Sequence, residues 1–219
     1  MERDHQKREI SLRYWLQGRG YFIALEAMDF AKGFHTGLRK DGVTPEFDHQ
    51  VSIAHFVRSL EPSLMLPEET FATIFLHDVR EDFDVSEGDL MARFGSEISH
   101  AVDCMTKTFR GVKRPAGEVF QRIGADYIAS VAKGADRGHN HRSMVGVFSL
   151  EKQREYLAET EEHFLPMLKR ARRAFPQQEP AYENIKHSLV GEITLIKAIH
   201  AAMDPEPSPP SPFQPSPSP

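Results

Sequence analysis

The sequence predicts an all-α fold, a single helical bundle followed by a disordered C-terminal tail. Apolar residues recur every three or four positions through most of the 219-residue chain, and no segment shows a convincing strict alternation. The prolines are unevenly placed, because eight of the 15 fall within residues 205–219. Proline removes a helix hydrogen bond, so the proline-poor remainder is suited to long helices.

The apolar spacing predicts helices along most of residues 10–203. They are expected at residues 10–16, 21–35, 50–60, 68–82, 86–95, 96–107, 118–144, 151–174 and 181–203. Polar loops that contain glycine and proline are expected at residues 36–48 and 108–117. Ser86 and Asp89 have the spacing of a capping box at the start of a short helix.

These elements predict three regions. We expect an N-terminal helical extension over residues 1–20, a bundle domain over residues 21–203 and a disordered Pro/Ser-rich tail over residues 204–219. The tail favours extended polyproline-II conformations, and it could also act as a weak partner-binding segment for an aromatic groove.

Composition excludes several classes of protein. With 27 Lys and Arg against 32 Asp and Glu, the chain lacks the basic surplus of a general nucleic-acid binder. No apolar run reaches the length of a membrane span, and the first residues lack the apolar core of a secretory signal. The single cysteine excludes an internal disulfide and fits a reducing compartment. We therefore expect a cytoplasmic protein with neither nucleic-acid nor membrane partners.

The sharpest local motif is the polar run over residues 77–82, which interrupts an apolar segment. His77 and Glu81 are four residues apart, as are Asp78 and Asp82, so within one helix the two pairs would occupy neighbouring stripes. An adjacent His and Asp can bind one cation, and the later carboxylates can transfer protons. The alternative is a solvated acidic helix end.

A second polar run, over residues 133–143, also lies in a helical context. Asp136, Asn140 and Ser143 share one helix face. Gly134 and Gly138 each cost roughly 1 kcal/mol relative to alanine within a helix. Such glycines indicate either close approach by backbone or ligand, or loose packing.

Histidines and cations also flank the loop over residues 36–48, namely His35, Arg39, Lys40 and His49. The histidines at this loop and the His and Asp residues of the two polar runs together give imidazoles and carboxylates from three segments of the chain. This is the mixed nitrogen and oxygen donor set that one divalent metal needs.

The chain resembles the HD-domain alarmone hydrolases, the hydrolase half of the Rel/SpoT enzymes and the stand-alone small alarmone hydrolases. The similarity extends in order over roughly residues 24–168. It is carried by residues 31–42 (H-x-G-x-R-K-x-G), 47–49, 77–82 (H-D-x-x-E-D), 94–107, 133–140 (K-x-A-D-R-x-H-N) and 151–166. The chain departs from the family at Gln50, Cys104 and Gly138, where proline, glycine and leucine are usual. No synthetase-like domain follows, so we expect a hydrolase without synthetase activity.

The resemblance implies an HD-type hydrolase domain that uses one Mn²⁺ to split guanosine tetra- or pentaphosphate into GDP or GTP and pyrophosphate. The implied metal ligands are His49, His77, Asp78 and Asp136. Glu81 and Asp82 would manage the protons, with their roles unassigned. The implied substrate contacts are Arg39 and Lys40 to the base, Asn140 and Ser143 to the ribose, and Lys107, Lys133 and Arg137 to phosphate.

Two alternatives stay open on the sequence. One is another HD phosphohydrolase, which removes the 2′-phosphate of NADPH or hydrolyses an adenosine alarmone. The other is a non-catalytic nucleotide-binding interaction module that works through its tail. The sequence does not indicate the oligomeric state.

Overall fold

The structure is a computed structural model, and it describes residues 2–203 of the chain. Over these residues it contains twelve α-helices. They are α1 (Glu2–Arg19), α2 (Phe22–Lys32), α3 (Asp48–Arg58), α4 (Pro67–Leu76), α5 (Val79–Asp82), α6 (Glu87–Phe94), α7 (Ser96–Met105), α8 (Ala116–Gly124), α9 (Tyr127–Met144), α10 (Leu150–Glu159), α11 (Leu165–Ala174) and α12 (Glu179–Met203).

The predicted all-α class is confirmed. Two-residue strands, β1 (Thr108–Phe109) and β2 (Val112–Lys113), form an antiparallel hairpin inside the loop predicted over residues 108–117. Short 3₁₀ turns at Glu61–Ser63 and Pro176–Gln178 complete the helical connections. The tail predicted over residues 204–219 lies outside the described residues.

Helices α4 and α9 form the centre of the bundle. Every residue of α4 from Thr70 to Leu76 is buried, and so is every residue of α9 from Ile128 to Gly138. Helices α2, α3 and α7 pack on α4, while α3, α8, α11 and α12 pack on α9. A helix that is buried all round is typical of a protein core, so polar side chains on α9 lie inside the molecule.

The single helix predicted over residues 68–82 is wrong. Helix α4 ends at Leu76, and His77 and Asp78 form a turn before the four-residue helix α5. The His77 side chain donates its Nδ1–H to the carbonyl of Ile74 at 2.8 Å. That carbonyl would otherwise accept the backbone N–H of residue 78, so the side chain competes with continuation of the helix.

The helix predicted over residues 118–144 is divided as well. Helix α8 ends at Gly124, and the Asp126 carboxylate begins α9 by accepting the backbone N–H groups of Ile128 and Ala129 at 2.9 and 2.6 Å. Aspartate is a preferred residue at this position because it satisfies free helix donors.

Three smaller predictions have clear outcomes. Helix α1 is longer than the predicted residues 10–16, and a π-helical turn at Thr160–Phe164 joins α10 to α11 within the predicted helix over residues 151–174. The capping box is confirmed, since Ser86 Oγ accepts the Asp89 N–H and Asp89 Oδ2 accepts the Ser86 N–H, both at 3.1 Å.

Gly134 marks a close approach of helices. A Cβ atom at this position would lie 2.9 Å from Ile185 Cγ2 and 3.1 Å from Leu168 Cδ2. The glycine therefore lets α9 pack directly against α11 and α12. Of the two interpretations of this glycine, close approach is correct and loose packing is not. Across residues 2–203, no helix has the length and apolar character needed to cross a membrane.

Candidate active site

A cavity of about 730 Å³ opens beside α3, α5 and α9. All of the predicted site residues except His77 line it, and His77 lies directly behind Asp78. Residues from five separate segments of the sequence thus meet at one place: the loop after α2, the start of α3, the α4–α5 turn with α5, the residues after α7 and residues 133–143 of α9.

His49 is the second residue of α3 and is buried. Its Nε2 atom lies 3.1 Å from Asp136 Oδ1 and 3.9 Å from Asp78 Oδ2. Its Nδ1 atom lies 2.8 Å from His139 Nδ1. Burial lowers the pKa of His139 to about 3, so that ring is neutral and can accept the Nδ1–H of His49. This arrangement leaves the Nε2 lone pair of His49 directed at the two carboxylates.

His77 presents the same atom to the same carboxylates. Its Nδ1–H is used by Ile74, and its Nε2 atom lies 2.8 Å from Asp78 Oδ2 and 3.8 Å from Asp136 Oδ1. The 2.8 Å contact of this buried Nε2 atom with Asp78 is an ion-pair contact that lacks the alignment of a hydrogen bond. Burial lowers the pKa of His77, but the carboxylates of Asp78 and Asp136 outweigh that effect and raise it to about 8. A position that attracts a proton so strongly will also attract a metal cation.

The two carboxylates are held ionised. Burial alone would raise the pKa of Asp78, but the His77 ring keeps it well below its usual range. The pKa of Asp136 is also far below its usual range despite burial, chiefly because Lys133 Nζ lies 2.8 Å from its Oδ2 atom.

The ligand atoms of His49, His77 and Asp78 all lie within 4.8 Å of one another, and Asp136 Oδ1 lies between the two imidazoles. Two imidazoles and two carboxylates suit a divalent transition metal that keeps open positions for water or substrate. Together with the buried Nε2 atom of His77, which makes no aligned hydrogen bond, this donor set fits a metal ion.

Glu81 and Asp82 end the short helix α5 at the cavity edge. Glu81 Oε2 accepts the backbone N–H of Lys107 at 3.2 Å. Burial, with the charges of Asp78 and Glu81, raises the pKa of Asp82 to about 6. Asp82 can therefore hold a proton close to neutral pH, which is what a general acid requires.

The cations on the far side of the cavity are joined by Glu159 at the end of α10. Its carboxylate lies 3.0 Å from Lys107 Nζ and also pairs with Arg137. The Arg137 guanidinium also lies over the ring of Phe164, 4.0 Å from its centroid. Lys107 and Arg137 are thus held side by side at the cavity wall.

The remaining predicted contacts surround the cavity mouth. Arg39 Nη2 donates to Ser143 Oγ at 3.3 Å, which joins the loop after α2 to the end of α9. Lys40 Nζ lies 4.9 Å from the ring centroid of Phe148. Asn140 Nδ2 donates to Asp136 Oδ1 at 2.7 Å, so the amide supports a candidate ligand.

Sequence reasoning assigned no role to His139 and Glu159. His139 lies within the H-N step of the second motif, but its contact with His49 joins residues 90 positions apart. Glu159 lies in the segment that resembles the family's later helix, and only the fold brings it between Lys107 and Arg137. His35, which flanks the predicted loop, is buried and also lines the cavity.

The fold and the site define an all-α protein in which a candidate His/Asp metal centre lies beside a cavity lined by both cations and carboxylates. The profile of the HD domain matches residues 27–173, so the chain belongs to the HD-domain family.

Relatives with assigned activities match the same region. The chain is 34% identical over 156 residues to a probable guanosine-3′,5′-bis(diphosphate) 3′-pyrophosphohydrolase of Synechocystis, covering 68% of this chain and 20% of that protein. It is 31% identical over 148 residues to the guanosine-3′,5′-bis(diphosphate) 3′-pyrophosphohydrolase of Vibrio cholerae, covering 64% of this chain and 20% of that protein. The chain therefore spans about a fifth of the length of these relatives.

A solved structure shares the fold. It is described as a metazoan ortholog of SpoT that hydrolyses ppGpp, and it superposes with a TM-score of 0.58 at 20% identity over 74% of this chain and 93% of that chain. At this level of identity, the similarity shows a common fold.

Proposed function

We propose that this protein is a metal-dependent hydrolase that removes the 3′-pyrophosphate of guanosine tetra- or pentaphosphate. The products are GDP or GTP and pyrophosphate. The observation that carries the proposal is the convergence of His49, His77, Asp78 and Asp136 on one cavity that also contains paired cations. The activity named for the Synechocystis and Vibrio relatives supports the same conclusion.

Mn²⁺ is the proposed cofactor, and the four residues named above would hold it. A divalent cation in such a site lowers the pKa of a water molecule and withdraws charge from a phosphoryl oxygen. Without the ion both carboxylates are already charged and both imidazoles have Nδ1 engaged elsewhere, and His77, whose pKa is raised to about 8, would release its Nε2 proton when the ion binds.

The two carboxyl groups of α5 divide the proton transfers. We assign the acid role to Asp82, because its raised pKa keeps a proton available for the ribose 3′-oxygen as its bond to phosphorus breaks. Glu81 then accepts the proton of the attacking water while the new oxygen–phosphorus bond forms. The proton count is balanced, with one proton taken from water and one given to the leaving group.

The cationic side of the cavity binds the pyrophosphate. Lys107 and Arg137 are positioned by Glu159, and the substrate's phosphoryl oxygens would compete with this carboxylate for them. Lys133 is paired with Asp136, and it contributes positive electrostatic potential to the cavity. At the mouth, Arg39 offers a planar guanidinium for stacking on the purine, with Lys40 beside it. Asn140 and Ser143 face the ribose in this assignment.

The location of this activity is also a proposal. We place it in the cytoplasm, where nucleotide substrates occur and where a single cysteine stays reduced. The substrate is a small molecule, so neither a nucleic acid nor a membrane is required.

The test is incubation of the full chain with Mn²⁺ and each of ppGpp, pppGpp, ppApp and NADPH, with products separated by chromatography. We expect pyrophosphate from the guanosine substrates, and we expect Asp78→Ala to lose turnover and bound metal together. Release of orthophosphate from NADPH, or preference for ppApp, would identify a different HD phosphohydrolase. Absence of turnover with every substrate would refute the hydrolase assignment and favour the nucleotide-binding module.

A further inference from the structure

A second cluster of metal-binding side chains lies where α7 meets the start of α9. Its members are His100 and Cys104, one turn apart on α7, and Asp126, which precedes α9. None of the three lines the catalytic cavity. One imidazole, one thiol and one carboxylate therefore meet at a place that the proposed hydrolysis does not use.

The separations within this cluster are close to those of ligands around a shared ion. His100 Nε2 lies 3.5 Å from Cys104 Sγ and 3.9 Å from Asp126 Oδ2, and all three atoms lie within 4.8 Å of one another. Sulfur and nitrogen bound to one tetrahedral zinc ion are about 3.5 Å apart, given bond lengths of about 2.3 and 2.0 Å. The oxygen would need to move closer by roughly half an ångström.

The two oxygens of the Asp126 carboxylate have different roles. Its Oδ1 atom accepts the backbone N–H groups of Ile128 and Ala129, which fixes the orientation of the side chain. Its Oδ2 atom is left to face His100. A carboxylate anchored by one oxygen presents the other with little further loss of conformational freedom.

The exposure of the cluster to solvent and the chemical softness of its thiol ligand also favour a metal site. His100 has a side chain that is 59% exposed, whereas Cys104 and Asp126 are buried, so the site is reached from solvent past an exposed imidazole. We propose that His100, Cys104 and Asp126 form a second cation site, specific for Zn²⁺ or a similarly thiophilic metal, that is separate from the catalytic centre. An open fourth position would hold water.

The thiol sets the metal preference. As a thiolate it is a soft ligand, which binds zinc and cobalt strongly and hard ions such as Mg²⁺ and Ca²⁺ weakly. The bound ion would join the C-terminal turn of α7 to the start of α9, the helix that carries Asp136.

The test uses Co²⁺ as a spectroscopic probe on the reduced full-length chain. Cys104 is the only cysteine, so any near-ultraviolet thiolate-to-cobalt absorption reports this site alone. We expect such a band to saturate at one equivalent, to disappear on addition of Zn²⁺ and to be absent from Cys104→Ala. His100→Ala and Asp126→Asn should weaken Co²⁺ binding at least about tenfold. The asparagine retains the oxygen that caps α9.

Two controls separate this site from other effects. His187→Ala removes an exposed histidine from α12 and should leave the titration unchanged. Asp78→Ala removes a proposed catalytic ligand and should also leave the band in place, so the result does not depend on the proposed hydrolase activity. Absence of the band at saturating Co²⁺ would overturn the proposal. A band with the same midpoint in His100→Ala and Asp126→Asn would also overturn it, because it would show adventitious binding to the thiol.

Discussion

At the scale of single residues, the protonation of two imidazole rings determines whether the site can hold a metal. His77 donates its Nδ1–H to the Ile74 carbonyl, and His49 directs its Nδ1 atom at the neutral ring of His139. The Nε2 atom of His49 is therefore free of a proton, whereas the raised pKa of His77 puts a proton on its Nε2 atom beside Asp78, and a bound cation would have to displace that proton. The two rings are prepared for a cation by contacts that lie outside the ligand set.

His139 gives the first prediction. His139→Ala removes the acceptor that fixes the His49 ring, so we expect Mn²⁺ affinity to fall by about 10- to 100-fold. The turnover number at saturating Mn²⁺ should stay close to that of the wild type, since no ligand is lost. Titration of activity with Mn²⁺ separates the two quantities, and His187→Ala serves as a histidine control. Unchanged metal affinity would remove His139 from the site.

Substitution of Glu81 should have the opposite effect, with metal binding kept and turnover lost. Glu81→Gln should keep the bound metal, because the four proposed ligands are intact, but should lower turnover by at least about 100-fold, because the amide cannot accept the water proton. Metal analysis and turnover are measured on the same sample, with Asp78→Ala as the variant that loses both. A normal rate in Glu81→Gln would exclude the general-base role.

At the scale of secondary-structure elements, α5 is held in place by an ion-pair centre on α7. Asp103 is buried and accepts hydrogen bonds from Arg80 of α5, Arg122 of α8 and Arg114 of the preceding loop. Burial alone would raise the pKa of Asp103, yet the three guanidinium groups lower it to about 2. The carboxylate thus fixes the element that carries the proposed acid and base.

This centre predicts an acid-dependent loss of stability. Because the folded-state pKa of Asp103 lies below its ordinary 3.8, its contribution to the free energy of unfolding is complete above pH 4 and is lost as the pH falls toward 2. Asp103→Asn should cost about 3 kcal/mol at pH 7, since the buried guanidinium group of Arg80 and the half-buried groups of Arg114 and Arg122 lose their counter-charge. Urea unfolding at pH 7 and in acid measures both effects. Equal acid sensitivity in wild type and variant would contradict the prediction.

The helix contacts of α9 predict a contrast between two glycines. Gly134→Ala places a methyl group 2.9 Å from Ile185 Cγ2, and overpacking of about 1–3 kcal/mol offsets the gain in helix propensity. Gly191 lies in α12 with open space around it, so Gly191→Ala should stabilise the protein by up to about 1 kcal/mol. Thermal unfolding should therefore rank Gly191→Ala above Gly134→Ala. The reverse order would show that α9 and α12 are not in close contact.

The same elements show how far local sequence determines structure here. The capping box at Ser86 was predictable because all of its bonds form within four residues. The break after Leu76 was not, because the four-residue spacing of His77 and Glu81 continues a helical pattern across it. The position of the metal ligands could be inferred from their motifs, whereas the supporting roles of His139 and Glu159 depend on partners 90 and 22 residues away.

At the scale of the whole molecule, the two ends of the chain have different relations to the site. Helix α1 contributes Leu12 and Leu16, both fully buried, to the main core. Its Arg8 side chain also pairs with Asp48, which is buried beside His49, with Nη2 and Oδ1 2.5 Å apart. At the other end, every proposed site residue precedes Met203, the last residue of α12.

Deletion of either end therefore has a different expected outcome. Removal of residues 1–20 deletes two fully buried leucines, each worth about 2–5 kcal/mol, and leaves the buried Asp48 unpaired. A loss of this size is comparable to the whole stability of a typical domain, so we expect a partly unfolded protein with weak metal binding and little turnover.

Removal of residues 204–219 should leave the unfolding midpoint, Mn²⁺ affinity and turnover as in the full chain. Thermal unfolding, metal titration and product release measured on both truncations test the contrast. Reduced turnover in a tail deletion that unfolds normally would place the tail in the mechanism, and a stable, active deletion of residues 1–20 would make α1 dispensable.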